Sequence, residues 1–269
     1  MININILNAG DMSIVTGTPG PAGHPETRIT FSDGSSDTYE WSGEIDKQTM
    51  VDAGLFDENE WTWIKEPVTV DIGNTVTSLG YSFSSCSSLT SVTISDSVTS
   101  IGNNAFRDCG GLTSITIGDG VTSIGESAFE GCTSITSVTI PDSVTSIRSY
   151  AFEGCSGLTS ITIGDGVTSI DDTAFAYCSG LTSVTIPASV TSIGTGVFSV
   201  CRGLTSVTFN SFTKDEVKSL TTSDYIFGGA FYDDEYNPME KSFTAICTDG
   251  SMTIHFSEDN PATITFTDL

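Results

Sequence analysis

Apolar and polar positions along the middle of the chain recur with a period of 23 residues. Val92-Thr93-Ile94 returns as Ile115-Thr116-Ile117, Val138-Thr139-Ile140, Ile161-Thr162-Ile163, Val184-Thr185-Ile186 and Val207-Thr208-Phe209. Phe83, Phe106, Phe129, Phe152, Phe175 and Phe198 follow the same rhythm, as do Cys86, Cys109, Cys132, Cys155, Cys178 and Cys201. The first unit is one residue short between Leu79 and Phe83, a deletion that a terminal coil beside a cap can tolerate.

Within one unit the apolar positions are Leu112, Ile115, Ile117, Val121, Ile124, Phe129 and Cys132. Alternation around Ile115 to Ile117 predicts a strand with both isoleucines inward and Thr116 outward. Gly118-Asp119-Gly120 then predicts a turn, because glycine accepts positive φ and aspartate bonds nearby backbone. Val121 to Ile124 predicts a second short extended stretch. Glu126 to Cys132 is compatible with one or two helical turns that present Ala128, Phe129 and Cys132 to the core. One unit cannot cover its own apolar side, so the units must stack into a shared core. About six coils paired roughly 4.8 Å apart give a parallel sheet on the order of 25–30 Å long.

Leu112-x-x-Ile115-x-Ile117 matches the strand signature of leucine-rich repeats. The unit from Val138 to Ser160 resembles the BspA-like leucine-rich repeats of bacterial surface proteins, protists and phage-encoded proteins. The resemblance covers about residues 70–209 and implies adhesion or protein recognition, with no shared chemistry. The expected fold is a repeat solenoid with a parallel β-sheet face, short helices or turns opposite, an α+β N-terminal cap and a β-rich C-terminal cap.

The flanks lie outside the motif and read as caps, which an open solenoid end requires. Residues 26–69 form the N-terminal one: a hairpin of Arg28 to Phe31 and Thr38 to Trp41, then a helix from Ser42 to Ala53 closed by Gly54. Trp61 and Trp63 are expected on the open end of the first coil. Residues 210–269 form the other cap, with a helix over Lys214 to Leu220 and a hairpin of Thr244 to Cys247 and Ser251 to Ile254. Residues 1–25 are an anchor or linker. Their Gly-x-y triplets from Gly17 to Pro25 read either as a turn-rich linker or as a short trimerising segment, which would make the protein a homotrimer.

Charge sharpens this division. The chain carries 34 acids against 9 bases, a net charge of −25. Residues 68–206 hold 11 acids, as many as the 11 in the much shorter 207–269, so the ends are the charged parts. Such a surface repels phosphate backbones and anionic lipid, which excludes nucleic acid as a partner. No apolar run is long enough for membrane insertion. Met1 to Leu7 lacks the basic start and long apolar core of a signal peptide, and no N-glycosylation sequon is present.

The periodic residues invite chemistry, and each has a structural explanation beside it. The cysteines recur at one inward position, which reads as small core thiols rather than disulfides. No C-x-x-C pair exists, and His24 and His255 lack Cys or His neighbours, so no zinc site and no other cofactor is expected. Asp96, Asp119, Asp142 and Asp165 could hold calcium between coils or serve their turns. Catalytic fingerprints such as G-x-S-x-G, a P-loop or H-E-x-x-H are absent. The acidic aromatic stretch Tyr225, Phe227, Phe231, Tyr232 and Tyr236 reads equally as a contact surface or as rings packed on the last coil. The candidate ligand-binding face is the outward ladder Thr93, Thr116, Thr139, Thr162, Thr185 and Thr208.

Together these readings point to a non-catalytic recognition protein with a protein or glycan ligand, located outside the cell or on a virion surface. A phage fibre or decoration protein is the first setting and a bacterial surface adhesin the second. A carboxylate-dependent glycan hydrolase is the remote alternative.

Overall fold

The computed structural model describes residues 25–60, 62–223, 226–227, 241–256 and 264–268. The repeats wind into a parallel β-solenoid whose coils superpose position on position. One side carries the strands Pro67–Asp71, Ser91–Thr93, Ser114–Thr116, Ser137–Ile140, Ser160–Ile163, Ser183–Ile186 and Ser206–Phe209. Their pairing sets like on like: Thr116 lies beside Thr93, Thr139 beside Thr162 and Thr185 beside Thr208. A second wall is a continuous parallel ladder of Val76–Leu79, Ser100–Ile101, Ser123–Ile124, Ser146–Ile147, Ser169–Ile170 and Ser192–Ile193. The expected solenoid and its strand face are therefore present.

The third side differs from the helical turns anticipated over Glu126 to Cys132. It is a chain of turns, without α-helix. Its amides alternate in direction. Those of Asn104, Phe106 and Asp108 reach the next coil, at Glu126, Ala128 and Glu130 (2.9, 2.8 and 2.7 Å). Those of Ala105, Arg107 and Cys109 turn back three residues within their own coil. An α-helix would send every amide back four residues. The alternation needs left-handed backbone twice per coil, and Asn104, Ser127, Tyr150 and Thr173 supply the first position at φ 54–62°. Asp108, Gly131, Gly154, Tyr177 and Val200 supply the second.

Gly118 and Gly120 also do something other than expected. Neither has positive φ. A Cβ on Gly120 would overlap the Asp96 carbonyl, and one on Gly166 the Asp142 carbonyl. These glycines let one coil's turn lie against the next, a requirement of stacking rather than of the turn itself.

Between the walls lies one continuous core from Ile29 to Ile254. The phenylalanines form a ring stack from Phe83 to Phe198, with centroids 5.1–5.9 Å apart and planes 3–14° from parallel. Trp63 continues the stack at one end (6.3 Å from Phe83) and Phe227 at the other (5.9 Å from Phe198). Trp63 thus sits where the sequence suggested, and of the acidic aromatic stretch Phe227 packs on the last coil. Trp61, the Gly-x-y triplets up to His24 and the rest of the stretch (Tyr225, Phe231, Tyr232, Tyr236) lie outside the described residues. All seven cysteines are free and buried. Each repeat thiol donates to a phenylalanine carbonyl of the preceding coil, as Cys155 does to Phe129 (3.2 Å), except Cys86, which reaches Pro67 (3.6 Å).

The caps extend the ladders. Thr27–Phe31 pairs antiparallel with Ser36–Tyr39 and with Pro67–Asp71, so the expected hairpin becomes an outer edge of the strand face. The expected helix from Ser42 begins later, at Lys47, and ends at Asp52. Asp46 caps it reciprocally with Thr49, which leaves Gly43–Ile45 to pair parallel with Val76–Leu79 as another rung of the second wall. At the far end a helix covers Lys214–Ser223, three residues past the predicted limit. Lys241–Cys247 joins Ser206–Phe209 in parallel, then turns antiparallel with Gly250–Phe256 and, beyond it, Ile264–Asp268. Among the described residues no helix is long and apolar enough to cross a membrane.

Candidate functional site

Threonine occupies three exposed columns of the solenoid, and the structure separates them by what their hydroxyls do. In the column through Thr113, the hydroxyls of Thr90, Thr113, Thr159, Thr182 and Thr205 donate to a carbonyl one coil back, as Thr113 does to Thr90 (3.0 Å) and Thr159 to Thr136 (3.0 Å). The column through Thr122 does the same: Thr122 to Thr99 (2.9 Å), Thr145 to Thr122 (3.2 Å) and Thr168 to Thr145 (3.0 Å). These hydroxyls are part of the scaffold.

The third column is the predicted face. Thr116, Thr139, Thr162 and Thr185 are exposed, while Thr93 and Thr208 at its ends are half-buried. Val138, Ile140, Ile161 and Ile163 beside them point inward, as the alternation required. No hydroxyl of this column takes part in a hydrogen bond among the described residues. Ser91, Ser114, Ser137, Ser160, Ser183 and Ser206 form a parallel column two residues earlier on the same face, and they too carry no such bond. The candidate face named from the sequence left out this serine column, because that reading began each strand at the valine or isoleucine. The S-x-T alternation was the available signal. Two columns of hydroxyls thus face outward, with rungs about 4.8 Å apart.

Two of the four periodic aspartates, Asp96 and Asp142, are engaged by backbone. Asp96 accepts from the Asp119 amide (2.9 Å) and Asp142 from the Asp165 amide (2.8 Å), each binding the next coil's backbone rather than its own turn. Burial pushes the thiols of Cys109, Cys155 and Cys201 up to about 12 and those of Cys132 and Cys178 well above the ordinary value, so they remain protonated and unreactive. Ser242 and His255 share a 2.8 Å hydrogen bond, but they are directly paired across two antiparallel strands and Ser242 is exposed. A cross-strand pair of this kind lacks the enclosed surroundings that acyl transfer needs.

A superposed, in-register strand ladder backed by a wall of stacked turns defines a leucine-rich-repeat solenoid of the β-rich kind. The sequence matches the model for the BspA type leucine rich repeat region in six copies, over residues 63–179 and 99–227, and the chain belongs to that family. Among solved structures it is similar to a leucine-rich repeat protein of T. pallidum, at 24% identity, over 66% of this chain and 77% of that one, with a TM-score of 0.49. It is also similar to a leucine rich cell surface protein of Faecalibacterium prausnitzii (28% identity, 69% and 53% coverage, TM-score 0.39). A leucine-rich repeat protein of Bacteroides ovatus shows 17% identity over 77% and 69%, with a TM-score of 0.35. No curated protein matches the chain.

Proposed function

We propose that the chain is a non-catalytic recognition module that engages a surface glycan or protein through the hydroxyls of its strand face. The observation that carries this reading is the contrast among the threonine columns. Two are committed to the backbone, whereas Thr93, Thr116, Thr139, Thr162, Thr185 and Thr208 leave their hydroxyls to solvent. A flat array of hydroxyls, each both donor and acceptor, suits an extended polar ligand better than a small enclosed substrate. The net charge of −25 favours ligands that are neutral or cationic. Membership of the BspA-type family supports display outside the cell, on a bacterial envelope or a virion, and mass spectrometry of purified envelopes and particles separates those settings.

The reading is tested by binding to immobilised mucin glycans and to intact bacterial and epithelial cells. Thr139→Arg with Thr162→Arg is expected to weaken retention by about tenfold or more while leaving the melting temperature in place. Retention unchanged in the variant contradicts the reading. Turnover of the same glycans by the wild-type chain would transfer the function to a carboxylate-dependent hydrolase.

A further inference from the structure

The turn wall's backbone amide-to-carbonyl bonds between coils, such as Phe83 to Ala105 and Ser85 to Arg107, run toward the C-terminal end, so its first coil leaves carbonyls facing the N-terminal cap. The Ser84 carbonyl is one of them, and it accepts from Lys47 Nζ (3.2 Å) and from Trp63 Nε1 (3.4 Å). A cation belongs at the carbonyl end of aligned peptide dipoles, as at a helix C-terminus. Lys47 also lies over the rings of Phe56 (4.1 Å), Trp63 (4.3 Å) and Tyr81 (5.4 Å). Around it, between cap and first coil, is a cleft of about 280 Å³.

One thing is missing from this cleft. Lys65, Arg107, Arg148, Lys214 and Lys218 each have a carboxylate within ion-pair distance. Lys47 has none among the described residues, in a chain with 34 acids. Glu66 lines the same cleft, but its carboxylate accepts from the Ser88 amide (2.7 Å) and the Ser87 hydroxyl (3.0 Å). One N–H of Lys47 serves Ser84, which leaves two donors and an unanswered charge at the mouth of the cleft.

We propose that this cleft is a ligand site for a single carboxylate-bearing sugar ring, with Lys47 as the counter-ion of the carboxylate. The hydroxyls of Thr62, Ser85 and Ser87 and the ring of Tyr81, 40% exposed, supply the polar and stacking contacts that a pyranose uses. The volume is at the small end of ligand pockets and suits one ring rather than a chain. Half-burial pulls the Lys47 ammonium down to about 8, and an arriving carboxylate would favour the charged form further. This site is separate from the strand face, and its occupancy is independent of Thr139 and Thr162.

The test is a titration of the full chain with glucuronate, glucose and acetate, read from the NMR shift of the Trp63 indole. Glucuronate is expected to give a saturable shift, and the other two are expected to bind at least about tenfold more weakly. Glucuronate binding is expected to fall as pH rises through about 8, where Lys47 loses its proton. Lys47→Gln is expected to weaken it about tenfold, Tyr81→Ala to weaken it with the cap intact, and T139R/T162R to leave it unchanged. No saturable shift with glucuronate overturns the proposal. Acetate equal to glucuronate overturns the sugar assignment, and glucose equal to glucuronate overturns the role of Lys47.

Discussion

The turn wall and the strand face are written by the same 23-residue period, yet they treat their polar groups in opposite ways. On the turn wall alternate amides and the repeat thiols are satisfied between coils, the remaining amides within their own coil, and the phenylalanine stack fills what lies beneath. On the strand face the backbone is satisfied in the ladder, while two columns of side-chain hydroxyls remain outside it. A repeating residue is therefore not by itself a sign of function. What distinguishes the two sides is whether the repeated group already has a partner one coil away.

If the turn wall is scaffold, perturbing it should cost stability in large steps. The largest is expected from alkaline pH. The buried thiols have folded values raised above the ordinary 9.0. Above pH 9 the unfolded chain loses these protons and the folded chain keeps them, so the stability they confer is complete below pH 9 and is lost as pH rises toward 12. At pH 10 a thiol whose folded value is near 12, as for Cys109, Cys155 and Cys201, contributes a loss of about 1.4 kcal/mol, and Cys132 and Cys178 add in the same direction. Lys47 acts oppositely: its folded value of about 8 lies below the ordinary 10.5, so its effect favours folding as pH climbs through that window. It is one group against seven, since burial raises Cys86 and Cys247 as well. Denaturant melts at pH 8 and pH 10 measure the balance, and equal midpoints would mean the thiols are not buried.

Removing a ring from the stack comes next. Phe152→Ala should cost about 3–5 kcal/mol, because Phe152 is fully buried between Phe129 and Phe175 and the flanking coils cannot close over the gap. Urea denaturation checks it. A smaller loss, about 1–3 kcal/mol, is expected from Gly166→Ala, whose methyl would meet the Asp142 carbonyl. Were that glycine needed for turn conformation alone, alanine would fit without loss, since its φ is not positive.

The strand ladder, the inward cysteines and the phenylalanine column were all legible in the sequence, because a strict period places one residue type in one environment. The turn wall was less so. Ala128, Phe129 and Cys132 have the spacing of a helix face, and the residues that break the helix, Ser127, Tyr150 and Thr173, carry ordinary side chains at positive φ. Gly118 and Gly120 looked like turn formers, since contact between coils is invisible within one unit. The cap helix was placed too early because Gly43 to Ile45 forms a strand only once Val76 lies alongside it. Lys47 gave no local signal, because the carbonyl and rings that surround it come from residues up to 37 positions away.

The contrast between columns is tested most directly by two triple variants melted side by side. Thr122→Val, Thr145→Val and Thr168→Val remove hydroxyls bonded to the preceding coil. Thr139→Val, Thr162→Val and Thr185→Val remove hydroxyls that the fold does not use. The first set is expected to lose about 2–4 kcal/mol in total, and the second to stay within about 1 kcal/mol of wild type. Equal losses in the two sets would mean that the strand-face hydroxyls serve the fold, and the case for a recognition surface there would fail.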